Sequence, residues 1–184
     1  MLETLQQRDQ DLLLLINRSG NTPLDPVMLM LSEKWVWIPL YGLIVYFIIL
    51  KEKKHSWLAI LFVLIAVCFA DFTTSAILKP LVERWRPCRD SDLILELRMI
   101  SECTGKFGFA SSHAANTATL AIFTFLFFDR NPLFFLLIIW SIAVGYSRIY
   151  LGAHFPTDVL AGWFIGAIFG YLAVLLYQKL KMHF

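Results

Sequence analysis

The chain is expected to fold as an all-α, polytopic membrane bundle. About five transmembrane helices are predicted, with an N-terminal helix lying on the membrane surface. Three observations lead there. Hydrophobic residues make up 58% of the 184 positions and charged residues only 16%, and the mean hydropathy is +0.65; a soluble domain of this length carries more polar surface. Apolar runs recur that approach the ~20 residues a helix needs to cross a bilayer. Sixteen Phe, six Trp and six Tyr suit lipid-facing and interfacial positions. A formal net charge of +2, without a long basic run, does not point to a nucleic-acid partner.

Taken in order, residues 1–24 form an interfacial segment. Leu5, Leu12, Leu15 and Ile16 can share one helical face, with Gln6, Arg8, Asp9 and Asp11 largely elsewhere, the pattern of a helix that lies on a membrane. This segment lacks a basic start, and its apolar core is only LLLLI, so no cleavable signal peptide is expected. Spans are predicted at 26–50, 56–78, 112–128, 132–147 and 157–178, the third and fourth being short. Trp35, Trp37, Trp57 and Trp163 suit interface belts. The whole chain, 1–184, reads as one domain without an internal repeat. Its one long polar segment is 79–111.

Basic residues set the orientation. Lys51, Lys53 and Lys54 in the first connection, Arg130 in the third, and Lys179 and Lys181 at the C-terminus share one side if there are five spans. The positive-inside rule makes that side cytoplasmic. The 79–111 and 148–156 loops then face outward from a cytoplasmic membrane. Cys88 and Cys103 flank the long loop, and two readings stay open for them: a disulfide in an oxidising compartment, or two free thiols. Cys68 reads as a small core residue.

Three segments meet the outer side: KPLVERWRP with Lys79 and Arg86, ASSH with Ser111, Ser112 and His113, and SRIYLGAHFPTD with Arg148, His154 and Asp158. Lys79, Arg86 and Arg148 are three cations without a matching set of carboxylates, which suits phosphate oxygens. Ser111 and Ser112 open a helix, whose N-terminus attracts anions. Two histidines remain. One can attack phosphorus while the other protonates the leaving oxygen. Asp158, four residues after His154, can hold one ring nitrogen and leave the other free. No Cys/His or carboxylate cluster suggests a metal site, and no cofactor is expected.

These segments resemble the type 2 phosphatidic acid phosphatase (PAP2) superfamily of membrane lipid phosphatases and soluble vanadium haloperoxidases. The family pattern is Lys-x6-Arg-Pro, Pro-Ser-Gly-His and Ser-Arg-x5-His-x3-Asp. Lys79, Arg86 and Pro87 match the first part, and Ser147, Arg148, His154 and Asp158 the third. In the second, Ser111 and His113 are kept while Ala110 and Ser112 replace proline and glycine. The resemblance implies that His154 is the nucleophile and forms a phosphohistidine, oriented by Asp158. It implies that His113 protonates the leaving group and then activates water. Lys79, Arg86, Ser111, Ser112 and Arg148 would bind the phosphoryl oxygens. The implied activity is removal of a phosphate from a lipid phosphate or pyrophosphate. Undecaprenyl pyrophosphate, phosphatidylglycerophosphate, phosphatidic acid and lipid A phosphate all present that group. A phosphotransferase and a non-catalytic lipid-binding or transport protein are the alternatives.

Each residue also has an ordinary role: Lys79 and Arg86 as snorkelling anchors, Ser111 as a helix cap, Asp158 as a partner of the helix dipole. Asp71 lies inside the second span and is expected to pair with a basic or hydroxyl group near the site. Arg84 and Arg89 are open between headgroup contacts and solvated loop charges.

Overall fold

Helices organise residues 2–182, which the computed structural model describes. They are α1 (Leu2–Arg18), α2 (Asp25–Ser32), α3 (Ile38–Glu52), α4 (Ser56–Phe72), α5 (Lys79–Val82), α6 (Ser112–Phe127), α7 (Pro132–Tyr150) and α8 (Pro156–Lys181). Among these residues the only strand-like pairing is a single bridge between Trp85 and Phe107. Three stretches are long and apolar enough to cross a membrane: Lys34–Val82, Pro132–Tyr150 and Pro156–Lys181. The first turns back at Lys53–His55, where Lys53 takes a φ of 48°, and so forms the α3–α4 hairpin.

The predicted first span, 26–50, is interrupted. α2 stops at Ser32, Glu33 is extended, and a 3-10 turn over Lys34–Trp37 precedes α3. Two adjacent charges explain the break, together with Pro39, which fits only the first turn of a helix.

α6 is the central helix, surrounded by α4, α7 and α8. Its 16 residues bury Thr117, Thr119 and Thr124 as well as alanines and Phe123. Neighbouring helices rather than lipid cover it, so a short and partly polar sequence is tolerated. The hydroxyls of Thr117 and Thr119 donate to the carbonyls of His113 and Ala115, at 2.8 and 2.9 Å, leaving neither donor unsatisfied.

α8 lies against α6 along a glycine stripe. A Cβ on Gly162, Gly166 or Gly170 would run into the carbonyl oxygens of Ser111, Ala115 and Thr119 respectively. Small residues every fourth position let two helix backbones approach closely. This seam holds the start of α8, with Asp158, against the start of α6, with Ser111 and His113. Trp163 does not stand in an interface belt: it is half-buried, packs over Gly145 and donates to the Ser141 carbonyl at 3.3 Å.

α1 docks by a face that its leucine pattern hides. Asp9, Leu13 and Asn17, spaced four apart on one side of the helix, are buried, while Leu5, Leu12 and Leu15 are exposed. Asp9, expected among the outward polar residues, points into the protein. Asn17 donates to the Tyr150 carbonyl at 2.8 Å and accepts from the Arg98 amide at 2.7 Å. The docking face therefore satisfies backbone groups of α7 and of the long loop, which hydropathy does not register.

Candidate active site

Three chain segments, distant in sequence, meet at one end of the bundle. The first is the run from α4 to the loop. Below Lys79 the helix widens into a π-turn over Thr73–Leu78; such turns shift the helical register and are common at functional sites. Lys79 Nζ then donates to Ser112 Oγ at 2.6 Å and to Ser75 Oγ at 3.4 Å. Thr74 Oγ1 also donates to Ser112 Oγ, at 3.0 Å. Ser112, the first residue of α6, is thereby tied to the π-turn and to Lys79.

After α5 the chain turns at Glu83, φ 50°. Residues 84–108 fold back on themselves. The Arg86 amide donates to the Lys106 carbonyl at 3.3 Å, and the Gly108 amide to the Arg84 carbonyl at 2.8 Å. A disulfide joins Cys88 to Cys103, Cα to Cα 5.8 Å. These ties hold the Arg86 side chain inward, 9% exposed. It donates to the carbonyls of Phe107 and Ala153 at 3.2 and 3.3 Å.

The second segment is the N-terminus of α6. Ser111 is fully buried and caps the helix; its amide donates to the Asp158 carbonyl at 2.9 Å. The third is the turn between α7 and α8. Gly152, φ 67°, permits the reversal. The amides of Ala153 and His154 both donate to the Arg148 carbonyl, at 3.0 and 3.2 Å. Asp158 Oδ2 accepts from the Phe155 amide at 3.0 Å and faces His154 Nδ1 at 3.5 Å.

His154 is 1% exposed and Asp158 fully buried. Burial, reinforced by the charges of Arg86, Arg148 and Lys79, holds the His154 imidazole well below its ordinary pKa. A neutral imidazole with one nitrogen facing a carboxylate is the form that attacks an electrophile. Lys79, Arg86 and Arg148 have no carboxylate within 4 Å among the described residues. Three cations gathered without counter-charges make a cradle for an anion.

A cavity of about 370 Å³ opens beside this cradle. Ser32, Lys34 and His113 line its end near the site, and Tyr41, Ile48 and Leu120 line its deeper walls. The run from His113 to Leu120 gives it a depth of about 10 Å at the helical rise. Arg148 Nη1 contacts Ser32 Oγ at the cavity's mouth.

Some residues escaped the sequence reading. Arg84 is not a solvated loop charge: it donates to Asp158 Oδ1 at 2.8 Å. Asp71 accepts from Asn116 Nδ2 at 2.9 Å, so its partner is an amide rather than a base or a hydroxyl. Asn116 follows His113 by three positions, a helical spacing that offers a signal for it. Nothing in the apolar pattern singles out Lys34 or Ser32. Arg89 donates to the Cys103 carbonyl at 3.0 Å and so braces the disulfide loop.

Known proteins are similar to this chain in sequence and in fold. The chain is 36% identical to a lipid A 4'-phosphatase of Bacteroides thetaiotaomicron, over 98% of this chain and 81% of that one. It is 33% identical to a lipid A 4'-phosphatase of Porphyromonas gingivalis, over 96% and 75%. An undecaprenyl-diphosphatase of Sulfolobus acidocaldarius is 28% identical over 89% and 76%. In fold, the chain resembles the crystal structure of a transmembrane PAP2-type phosphatidylglycerolphosphate phosphatase from Bacillus subtilis, with a TM-score of 0.75 and 22% identity. That match covers 96% of this chain and 87% of the other. Aquifex aeolicus LpxE matches with a TM-score of 0.67 and 24% identity, over 89% and 93%. The PAP2 superfamily model itself matches residues 56–182, the stretch that carries all three motif segments. With its motifs, its helical plan and its relatives in agreement, the chain belongs to the PAP2 superfamily.

Proposed function

We propose that this chain, acting as one phosphatase domain, hydrolyses a lipid phosphate or lipid pyrophosphate through a phosphohistidine. One observation carries the reading: a cationic cradle with a buried, neutral histidine stands beside an apolar cavity that ends at the second histidine. A free sugar phosphate has no use for such a cavity, whereas a lipid needs both halves.

In the first step His154 Nε2 attacks phosphorus, since Nδ1 faces Asp158. The bond from phosphorus to the ester or anhydride oxygen breaks, and His113 donates a proton to that oxygen. Lys79, Arg86, Arg148, Ser111 and Ser112 hold the phosphoryl oxygens and stabilise the charge that spreads over them. In the second step His113 takes a proton from water, which attacks phosphorus. The N–P bond breaks, inorganic phosphate leaves, and His154 is neutral again. The 4'-phosphate of lipid A is the favoured substrate, because the two relatives of that name cover nearly all of this chain at 33% identity or more. The site faces outward from the cytoplasmic membrane, into the periplasm, as the lysine distribution indicates.

The test is phosphate release by purified protein in detergent, from lipid A, undecaprenyl pyrophosphate, phosphatidylglycerophosphate and phosphatidic acid in turn. Lipid A is expected to turn over fastest. His154→Ala should lose at least about a thousandfold in rate, as expected for a missing nucleophile. Full activity in that variant would remove His154 from the reaction. Release that requires an added lipid acceptor would mark a phosphotransferase instead.

A further inference from the structure

We propose that Asp9 and Arg84 are positioning residues for His154, acting through Asp158, so that the N-terminal helix is part of the catalytic apparatus. The inference rests on the reading of His154 as the nucleophile.

The geometry is a two-pronged brace. Arg84 Nη1 donates to Asp158 Oδ1 at 2.8 Å and to Thr157 Oγ1 at 2.7 Å. Its Nη2 donates to Asp9 Oδ2 at 2.6 Å. Asp9 also accepts from the Thr157 amide at 3.0 Å and from the Thr157 hydroxyl. The guanidinium lies 3.9 Å from the centre of the Phe155 ring, which fixes its plane between the two carboxylates.

Burial makes the brace consequential. The Asp9 and Asp158 side chains are 4% and 0% exposed, and that of Arg84 is 24% exposed. Buried carboxylates need a cation and well-aligned donors. With His154 neutral, Arg84 is the only cation within 4 Å of Asp158 among the described residues. Asp158 Oδ1 goes to Arg84, while Oδ2 takes the Phe155 amide and faces His154. One arginine thus serves two carboxylates. Asp9 holds the other arm of the fork and fixes Thr157, the residue before Asp158. Without Asp9, Arg84 has one anchor fewer, and both the Asp158 carboxylate and the aim of His154 lose definition. Catalysis is sensitive to such displacements: a misplacement of about 1 Å can cost on the order of a hundredfold. Asp9 lies outside residues 56–182, the part matched by the family model, so this brace is an addition to the three motifs.

The experiment is steady-state phosphate release by the full chain in detergent, with whichever of the four lipids turns over fastest. Asp9→Asn should lower kcat about tenfold with KM within about twofold, since Asp9 touches no residue of the cradle. Asp9→Glu, which keeps the charge, should recover part of the loss. Arg84→Gln should fall at least as far as Asp9→Asn, and the double variant no further than the worse single, because both act through one bridge. Arg18→Ala is the control: Arg18 ties the same helix to Glu96 at 2.6 Å and should leave kcat unchanged. A wild-type kcat in Asp9→Asn overturns the inference. So does an equal loss in Arg18→Ala, or a loss carried by KM. If Asp9→Asn does not fold, a wild-type kcat in Arg84→Gln overturns it as well. His154→Ala in the same assay separates the two ideas: if it is dead while Asp9→Asn is normal, only the brace fails, and if it is active, the nucleophile assignment fails first.

Discussion

The two ends of the bundle both gather charge, but they treat it differently. At the end away from the site, two of the cations at the helix termini meet an acid: Lys51 meets Asp129 at 2.6 Å, and Lys181 meets Glu52 at 2.5 Å. The partners Asp129 and Lys181 are largely exposed, at 83% and 44%. At the site end Lys79, Arg86 and Arg148 are gathered without such partners, and their donors go to hydroxyls and carbonyls. The first arrangement neutralises charge where helices meet water. The second keeps positive charge unneutralised, as the proposed phosphate site requires. Two carboxylates at the site end, Asp9 and Asp158, are engaged instead with Arg84.

This contrast can be broken in several ways. The largest effect is expected at the seam that aligns the site. Gly162→Leu forces side-chain atoms into the Ser111 carbonyl, and overpacking of this kind costs about 1–3 kcal/mol or more. Thermal unfolding in detergent should show the loss, and activity should fall with it. Gly42→Ala, where an added Cβ meets nothing within 4 Å, should leave both unchanged. Next come the unpartnered cations. Lys79→Ala, Arg86→Ala and Arg148→Ala should each lower kcat/KM about tenfold or more, for lost charged contacts in the transition state. A wild-type rate in any one takes that residue out of the cradle.

A pH effect of intermediate size follows from His154. Its folded pKa lies well below the ordinary histidine value of 6.5. The stability that goes with keeping it neutral is complete above 6.5 and is lost as pH falls from there toward the folded value. The slope is at most about 1.4 kcal/mol per pH unit. Unfolding followed from pH 7 to pH 5 should show the decline, and His154→Asn should flatten it. An unchanged slope in the variant would assign the decline to other groups. The smallest effect belongs to the opposite end. Asp129→Asn, which removes the 83% exposed half of the Lys51 pair, should cost less than about 1 kcal/mol, as exposed ion pairs do, and should leave turnover within about twofold.

Much of this molecule was legible in advance because its signals are local. Lys79, Arg86, Arg148, His113, His154 and Asp158 stand in short patterns, and apolar runs place those patterns at one end of the bundle. Other features were hidden for definite reasons. Asp9 shares a helix with leucines whose periodicity suggests a membrane face, and hydropathy treats a buried, bonded aspartate like a solvated one. Arg84 is one of several arginines in a polar loop, and only the folded loop aims it at Asp158. The glycine stripe on α8 is visible in the chain as Gly162, Gly166 and Gly170, but its partner surface on α6 is set by packing.

By itself the chain determined that it is helical and membrane-embedded, which family it resembles, and which side chains are the candidates for phosphate chemistry. Hydrophobic length, residue chemistry and short spacings carry that information, and each depends only on neighbours in sequence. Tertiary structure alone decided where the first span breaks, that α6 is the central helix, that a cavity ends at His113, and that Asp9 reaches Asp158 through Arg84. Those features arise from contacts between residues far apart in the chain: Asp9 and Thr157 are separated by 148 positions. A sequence pattern marks the type of group that can form such a contact, but close packing selects which group does.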